Sequence, residues 1–232
     1  MEFLSLVAIS TAESELGVFN PDLVSAPISE PILGKALKFY KFAAFESNAK
    51  SINYSLKPGN IMAKIGLFYG TQTGNTQTVA ELIQKEFGGS DLVDLYDISQ
   101  AEASDFANYQ YVIVGCPTWN VGEMQGDWDG FYNDELENID FSGKKVAYFG
   151  AGDQIGYADN FQDAMGILEE KISEQGGNTV GYWPIEGYDF NESKALKNGK
   201  FVGLAIDEDN QSEMTNSRIK AWVSQLKREF GV

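Results

Sequence analysis

The stretch Gly70-Thr71-Gln72-Thr73-Gly74-Asn75-Thr76 decides how the rest of the chain is read. It follows the apolar run Ile65-Gly66-Leu67-Phe68-Tyr69 and precedes Val79-Ala80-Glu81-Leu82-Ile83, whose apolar residues have helical spacing. A strand, a hydroxyl- and glycine-rich turn and a helix, in that order, make a phosphate cradle. The turn's N–H groups and the positive end of the helix dipole face the anion. The turn holds no Lys or Arg. A nucleotide loop of the form G-x-x-x-x-G-K-[ST] places a Lys on the outer phosphates. Here three residues separate Gly70 from Gly74, and Asn75 stands where that Lys would be. The dinucleotide fingerprint G-x-G-x-x-G also fails. Its nearest approach, Gly150-Ala151-Gly152-Asp153-Gln154-Ile155-Gly156, is one residue too long and lies beside the fourth strand. A neutral turn suits a single terminal phosphate held by N–H groups and the hydroxyls of Thr71, Thr73 and Thr76. An ordinary Gly/Thr turn is the alternative for this stretch taken alone.

Downstream, strand-like and helix-like segments alternate. Strands are expected at Lys64–Tyr69, Asp91–Leu95, Tyr111–Gly115 and Lys144–Gly150, and at Thr179–Trp183 with Phe201–Ile206. Helices are expected at Asn75–Phe87, near Trp128–Glu137, and at Phe161–Glu174 and Thr215–Phe230. Gly88-Gly89 and Gly176-Gly177 punctuate two helix ends. Val112-Ile113-Val114 and Val146-Ala147-Tyr148-Phe149 are near-continuous apolar runs, which suits parallel strands covered on both faces. Five strands in this alternation predict a doubly wound open sheet, with its ligand at the strand C-terminal ends. The polar, glycine-punctuated stretch Pro184–Lys200 cannot continue a central strand and reads as an inserted loop.

The loops after the third and fourth strands supply what the cradle lacks. Tyr111–Gly115 runs into Cys116-Pro117-Thr118-Trp119-Asn120-Val121-Gly122-Glu123, where Trp119 is badly placed for core packing and well placed to stack on a flat ligand. Lys144–Gly150 runs into Ala151-Gly152-Asp153-Gln154-Ile155-Gly156-Tyr157-Ala158-Asp159-Asn160, with a second aromatic, Tyr157. A phosphate cradle and two aromatic slabs describe a mononucleotide with a large planar ring.

These three segments, Gly70–Thr76, Pro117–Val121 and Gly152–Asn160, resemble the FMN-binding loops of flavodoxins. The resemblance spans residues 62–232, and Pro184–Lys200 resembles the insertion of long-chain, cyanobacterial-type members. It implies a three-layer α/β sandwich with a five-stranded parallel sheet in the order 2-1-3-4-5, helices on both faces and a loop inserted in the last strand. It implies that Thr71, Gln72, Thr73, Gly74, Asn75 and Thr76 bind the FMN phosphate. Trp119 would cover the inner face of the ring and Tyr157 the outer. Asn120 and Val121 would present backbone beside flavin N5, where a peptide flip would stabilise the half-reduced flavin. Asp153 would bond the pyrimidine edge, and Pro117, Thr118, Gly152, Gln154 and Asn160 would complete the pocket. The implied activity is that of a low-potential one-electron carrier, a cytoplasmic monomer replacing ferredoxin under iron limitation. Its donor would be photosystem I, and its acceptors ferredoxin–NADP reductase or nitrogenase-linked enzymes. An FMN-dependent quinone or azo reductase of the same fold is the competing reading. The absence of a nicotinamide motif, and of acids and bases other than carboxylates and tyrosines, counts against it.

Composition is consistent with such a carrier. The chain of 232 residues has 34 acidic and 17 basic side chains and no histidine, which excludes His ligands and His-based triads. Residues 1–61 hold 6 acids and 5 bases, so the second part carries a net charge of −16. That field repels nucleic acid and anionic membranes and favours basic protein patches, although solubility alone would also explain it. Full reduction of a flavin places negative charge on its ring. A unit charge about 4 Å away opposes that by about 4 kcal/mol at an effective dielectric near 20. With about 59 mV per tenfold change in a one-electron equilibrium, a few kcal/mol lowers a potential by roughly one to two hundred millivolts. A cradle without a cation and a ring with no cation nearby fit this logic. Cys116 is the only cysteine, which rules out an intramolecular disulfide, and it is expected to be a small buried residue. Trp222 and Phe230 are expected in the core. Glu169-Glu170 and Asp207-Glu208-Asp209 are expected on the solvated surface.

Residues 1–61 lack this rhythm, contain most of the chain's prolines, and have no Arg. A signal or transit peptide is disfavoured by Glu2, Glu13 and Glu15 around the apolar run Phe3–Ala12. Met62 is read as the natural start, with the preceding segment a dispensable extension. A partner-docking or targeting segment is the alternative.

Overall fold

The computed structural model describes residues 65–232. The expectations for residues 1–61, for Met62 and for a first strand beginning at Lys64 lie outside those residues. The elements are β1 (Ile65–Tyr69), α1 (Asn75–Phe87), β2 (Val93–Asp97), a single turn α2 (Ala103–Phe106), β3 (Tyr111–Trp119), β4 (Glu123–Met124), α3 (Gly126–Asp134), β5 (Lys145–Ala151), α4 (Asp163–Glu174), β6 (Asn178–Val180), β7 (Trp183–Pro184), β8 (Leu196–Lys197), β9 (Lys200–Phe201), β10 (Leu204–Ile206) and α5 (Thr215–Phe230). Short 3-10 turns occupy Leu136–Asn138 and Ser212–Met214.

The central path is β2-β1-β3-β5-β10, all parallel, which is the order 2-1-3-4-5 of the principal strands. Alternation along each strand feeds two cores. Ile65, Leu67 and Tyr69 of β1 pack with Val79, Ala80 and Ile83 of α1 and with Trp222, Val223 and Leu226 of α5. Phe68 of β1 and Val112, Val114 and Cys116 of β3 face the opposite way, toward Trp128 and Phe131 of α3 and Met165 and Leu168 of α4. Strands buried on both faces explain the near-continuous apolar runs. In α1 the buried positions Thr76, Val79, Ala80, Ile83 and Phe87 form one stripe, and Gly88 ends the helix at φ 124, with its N–H on the Lys85 carbonyl.

The fifth strand is divided. β6 pairs with the first half of β5 (Lys145↔Asn178 to Ala147↔Val180) and β10 with the second half (Phe149↔Leu204 to Ala151↔Ile206). The insertion between them is wider than the polar stretch Pro184–Lys200. It carries a small antiparallel sheet, β7-β9-β8, absent from the sequence reading. Its aromatics anchor it, because Tyr188 and Phe190 each lie within 5.8 Å, centroid to centroid, of Phe161 and Phe201. The Arg218 guanidinium stacks 4.1 Å over the Tyr188 ring.

Gly166, within α4, lets the insertion approach. A Cβ there would stand 2.4 Å from the backbone carbonyl of Lys194 and 2.6 Å from the Ala195 nitrogen. Exchanging Gly for Ala inside a helix ordinarily gains about 1 kcal/mol of helix propensity. Here the backbone clash reverses the sign. Gly166→Ala is expected to lower stability by about 1–3 kcal/mol through overpacking, read as a lowered urea midpoint. A raised midpoint would contradict the packing.

Candidate functional site

Because β1, β3 and β5 are neighbours and point the same way, the three loops leave one sheet edge. Tyr69 is level with Gly115, and Pro117 with Ala151. The first loop, Thr71–Gly74, ends on a bare helix. Gly74 precedes α1 at φ 88, a left-handed conformation that glycine adopts without strain, and no side chain among the described residues caps the helix. The Thr71 hydroxyl accepts the Gly74 N–H at 3.1 Å, and the Thr78 hydroxyl donates to the Gly74 carbonyl at 3.0 Å. The N–H groups of Thr71, Gln72 and Thr73 have no acceptor among the described residues. Gln72, Thr73 and Asn75 are exposed, Thr71 and Gly74 half-buried, and Thr76 buried.

The second loop begins inside β3, which runs on through Pro117 and Thr118 to Trp119, beyond the predicted end at Gly115, and turns back into β4. The turn is closed by the Gly122 N–H on the Trp119 carbonyl at 3.1 Å, with Asn120 at φ 46. The Asn120 amide donates to Glu123 Oε2 at 2.6 Å. Trp119 is half-buried, yet its indole N–H is buried without an acceptor among the described residues. The Thr118 hydroxyl accepts the Ala164 N–H at 3.2 Å, which ties this loop to the start of α4.

The third loop is a compact turn. Asp153 Oδ1 accepts the N–H groups of Ile155 (3.0 Å) and Gly156 (2.7 Å), and the Asp153 carbonyl accepts the Tyr157 N–H (3.1 Å). The Gly156 N–H above all, then the Asn210 amide and the Ile155 N–H, hold the Asp153 carboxyl below its ordinary range against the opposing effect of burial. The Asp153 N–H has no acceptor among the described residues. Tyr157 is 49% exposed. Gln154 is buried, and its side chain is committed to Asp207 and Asp189 instead of lining a pocket. The Asn160 amide donates to Asp163 at 3.1 Å, and Gly152 is half-buried.

A cleft of about 910 Å³ joins Gln72 of the first loop to Trp119, Asn120, Val121 and Gly122 of the second, with Lys194 from the insertion on its wall. Asp153, Tyr157 and Asn160 are not among its lining residues. Lys194 corrects the expectation of a site without a nearby cation. Its ammonium lies 4.0 Å from Asp163 and is largely exposed. Two acidic expectations also change. Asp207 is fully buried and Glu169 nearly so, the latter held by Ser173 (2.9 Å), Thr179 (2.7 Å) and Lys197 (2.5 Å). Neither was legible, because adjacent carboxylates in a sequence look alike whether solvated or buried.

The flavodoxin family model matches residues 67–222. A flavodoxin from Synechococcus elongatus is 73% identical over 171 residues, covering 74% of this chain and all of the relative. The chain belongs to the flavodoxin family. A flavodoxin from Synechocystis is 74% identical over 166 residues, or 72% of this chain and 97% of that protein. Among solved structures, Fusobacterium nucleatum flavodoxin bound to flavin mononucleotide matches with a TM-score of 0.68 at 33% identity, covering 72% of this chain and 99% of that one.

Cys116 lies in β3 just before Pro117, and burial pushes its thiol from 9.0 up to about 12. Tyr188 is pushed, also chiefly by burial, from 10.0 to about 12. Between pH 9 and 12 the unfolded chain releases the Cys116 proton while the folded chain keeps it. The unfolded state then binds fewer protons, so stability falls as pH rises, by about 1.4 kcal/mol per pH unit from this group. Tyr188 adds to the fall above pH 10. Urea midpoints between pH 8 and 11 are expected to decline less steeply for Cys116→Ala than for the parent chain. Identical slopes would contradict this assignment.

Proposed function

We propose that this flavodoxin carries single electrons at low potential through bound FMN. The observation that carries the reading is the uncapped N-terminus of α1. In the turn that leads into it, which holds no cation, the Thr71, Gln72 and Thr73 N–H groups have no acceptor among the described residues, on the sheet edge shared with Trp119 and Tyr157. These residues fit the group, because an anion is what such an end lacks and the unpartnered indole of Trp119 marks an incomplete neighbourhood. FMN, when bound, supplies the one-electron chemistry. The chain supplies binding, orientation and field.

In this reading Thr71, Gln72, Thr73, Gly74, Asn75 and Thr76 hold the phosphate. Trp119 and Tyr157 enclose the ring, with Pro117, Thr118, Gly152 and Asn160 shaping the pocket. Asp153 contributes its free N–H, since its carboxylate is occupied by the turn. Asn120, already left-handed and with its side chain fixed by Glu123, can rotate its peptide with Val121 while the Trp119–Gly122 turn stays closed. Gln154 supports the loop from behind. The acidic surface suits partners with basic docking patches. Photosystem I as donor, with ferredoxin–NADP reductase or nitrogenase-linked enzymes as acceptors, in the cytoplasm under iron limitation, agrees with the cyanobacterial relatives. No described helix is long and apolar enough to cross a membrane.

An anaerobic redox titration of the holoprotein is expected to resolve two one-electron potentials, the second far below the first. A single two-electron wave, or rapid NADPH oxidation by the protein alone with a quinone acceptor, would overturn the carrier reading. Trp119→Ala is expected to weaken FMN binding by about tenfold or more, as loss of one aromatic stack does, and to shift the potentials with the far-ultraviolet circular dichroism unchanged. Unaltered affinity and potentials would place the ring elsewhere.

A further inference from the structure

We propose that Asp207, at the C-terminal end of β10, is a positioning residue for the flavin ring, acting through Gln154 and Asn210 to fix the Asp153–Tyr157 turn. The inference rests on the reading that Tyr157 covers the ring. Asp207 has no exposed surface, and no Lys or Arg among the described residues forms an ion pair with it. Its contacts are all neutral donors. Oδ2 accepts the Gln154 N–H (3.1 Å), the Gln154 amide (2.7 Å) and the Asn210 amide (2.9 Å). Oδ1 accepts the N–H groups of Asp209 (3.1 Å) and Asn210 (2.9 Å), with the Asn210 amide shared at 3.1 Å.

A buried charge without a counter-ion is poor value for stability alone. What this one organises lies outside β10. The Asn210 amide also reaches Asp153 Oδ1 at 2.8 Å, the oxygen that gathers the Ile155 and Gly156 N–H groups. The Gln154 side-chain oxygen Oε1 accepts the Asp189 N–H at 2.6 Å, pinning the same turn to the insertion. Two hydrogen-bonded routes therefore run from Asp207 into the turn that presents Tyr157. Burial cannot do this work, since Ile155 is 58% and Tyr157 49% exposed. A turn with little packing of its own is held ready by a polar network, and binding then loses less to ordering. Charge is essential to the arrangement. An Asn at 207 would turn an amide N–H toward donors on whichever side it faced.

The test compares flavins in the full-length protein. Asp207→Asn is expected to weaken FMN and riboflavin binding by the same factor, about tenfold, because the ring contact is loosened and the phosphate cradle is not. The visible circular dichroism of the bound flavin should change. Amide hydrogen exchange should quicken at Ile155–Tyr157 and stay unchanged at Thr71–Thr73. Where Asp207→Asn does not melt cooperatively, Gln154→Met, which removes one relay at similar size, carries the same expectation. Affinities within twofold of the parent for both flavins would overturn the proposal, and so would a loss confined to FMN. Tyr157→Ala serves as the reference. No effect there would take down the ring assignment together with this inference. An effect there with none at Asp207 would remove the positioning role alone.

Discussion

Parallel pairing of β3 with β1 on one flank and β5 on the other is the constraint on which the rest of the structure depends. It brings three loops that are far apart in sequence to one edge. It also requires both faces of each strand to be covered, which separates α1 and α5 from α3 and α4 and produces two cores. The Trp128 indole N–H on the Gly115 carbonyl, at 2.8 Å, shows how closely one layer is fastened to that edge. Loops carried on so stiff a base can be small and polar and still hold a defined shape.

The chain's negative charge is not spread as a uniform skin. Asp207, after β10, and Asp163 and Glu169, in α4, are buried, and each accepts hydrogen bonds. The turn before α1 is neutral, and Lys194, which lines the cleft, leans on Asp163. Anions thus serve two purposes in this protein. Exposed ones give the surface its negative field, and buried ones organise backbone, as Asp207 does by hydrogen bonds to the loop after β5.

Much of this was legible in the sequence because periodicity and punctuation agreed. The bounds of α1 and α5 follow from their apolar stripes, with Gly88 ending the first, and the doubly covered strands follow from unbroken apolar runs. The three loops were legible because each follows such a run. What escaped has physical reasons. The two-residue β4 and the single turn α2 are too short for any period to register. The small sheet of the insertion is held by aromatic contacts across distant residues, not by local alternation. Lys194 reaches the cleft only because α4 and the insertion pack through Gly166. Asp207 and Glu169 resembled ordinary surface acids because Gln154 and Thr179, which donate to them, lie 53 and 10 positions away, and no spacing announces the turn that brings Asn210 to Asp207.

The divided fifth strand has a further consequence. An open sheet ends in strands whose outer N–H and C=O groups can recruit another chain, and long flat edges are where aggregation begins. On this side the border consists of two three-residue pieces, β6 and β10, interrupted by a folded insertion that projects from the gap. No incoming strand finds a continuous row to extend. The same interruption that furnishes the insertion therefore also blunts the sheet against self-association.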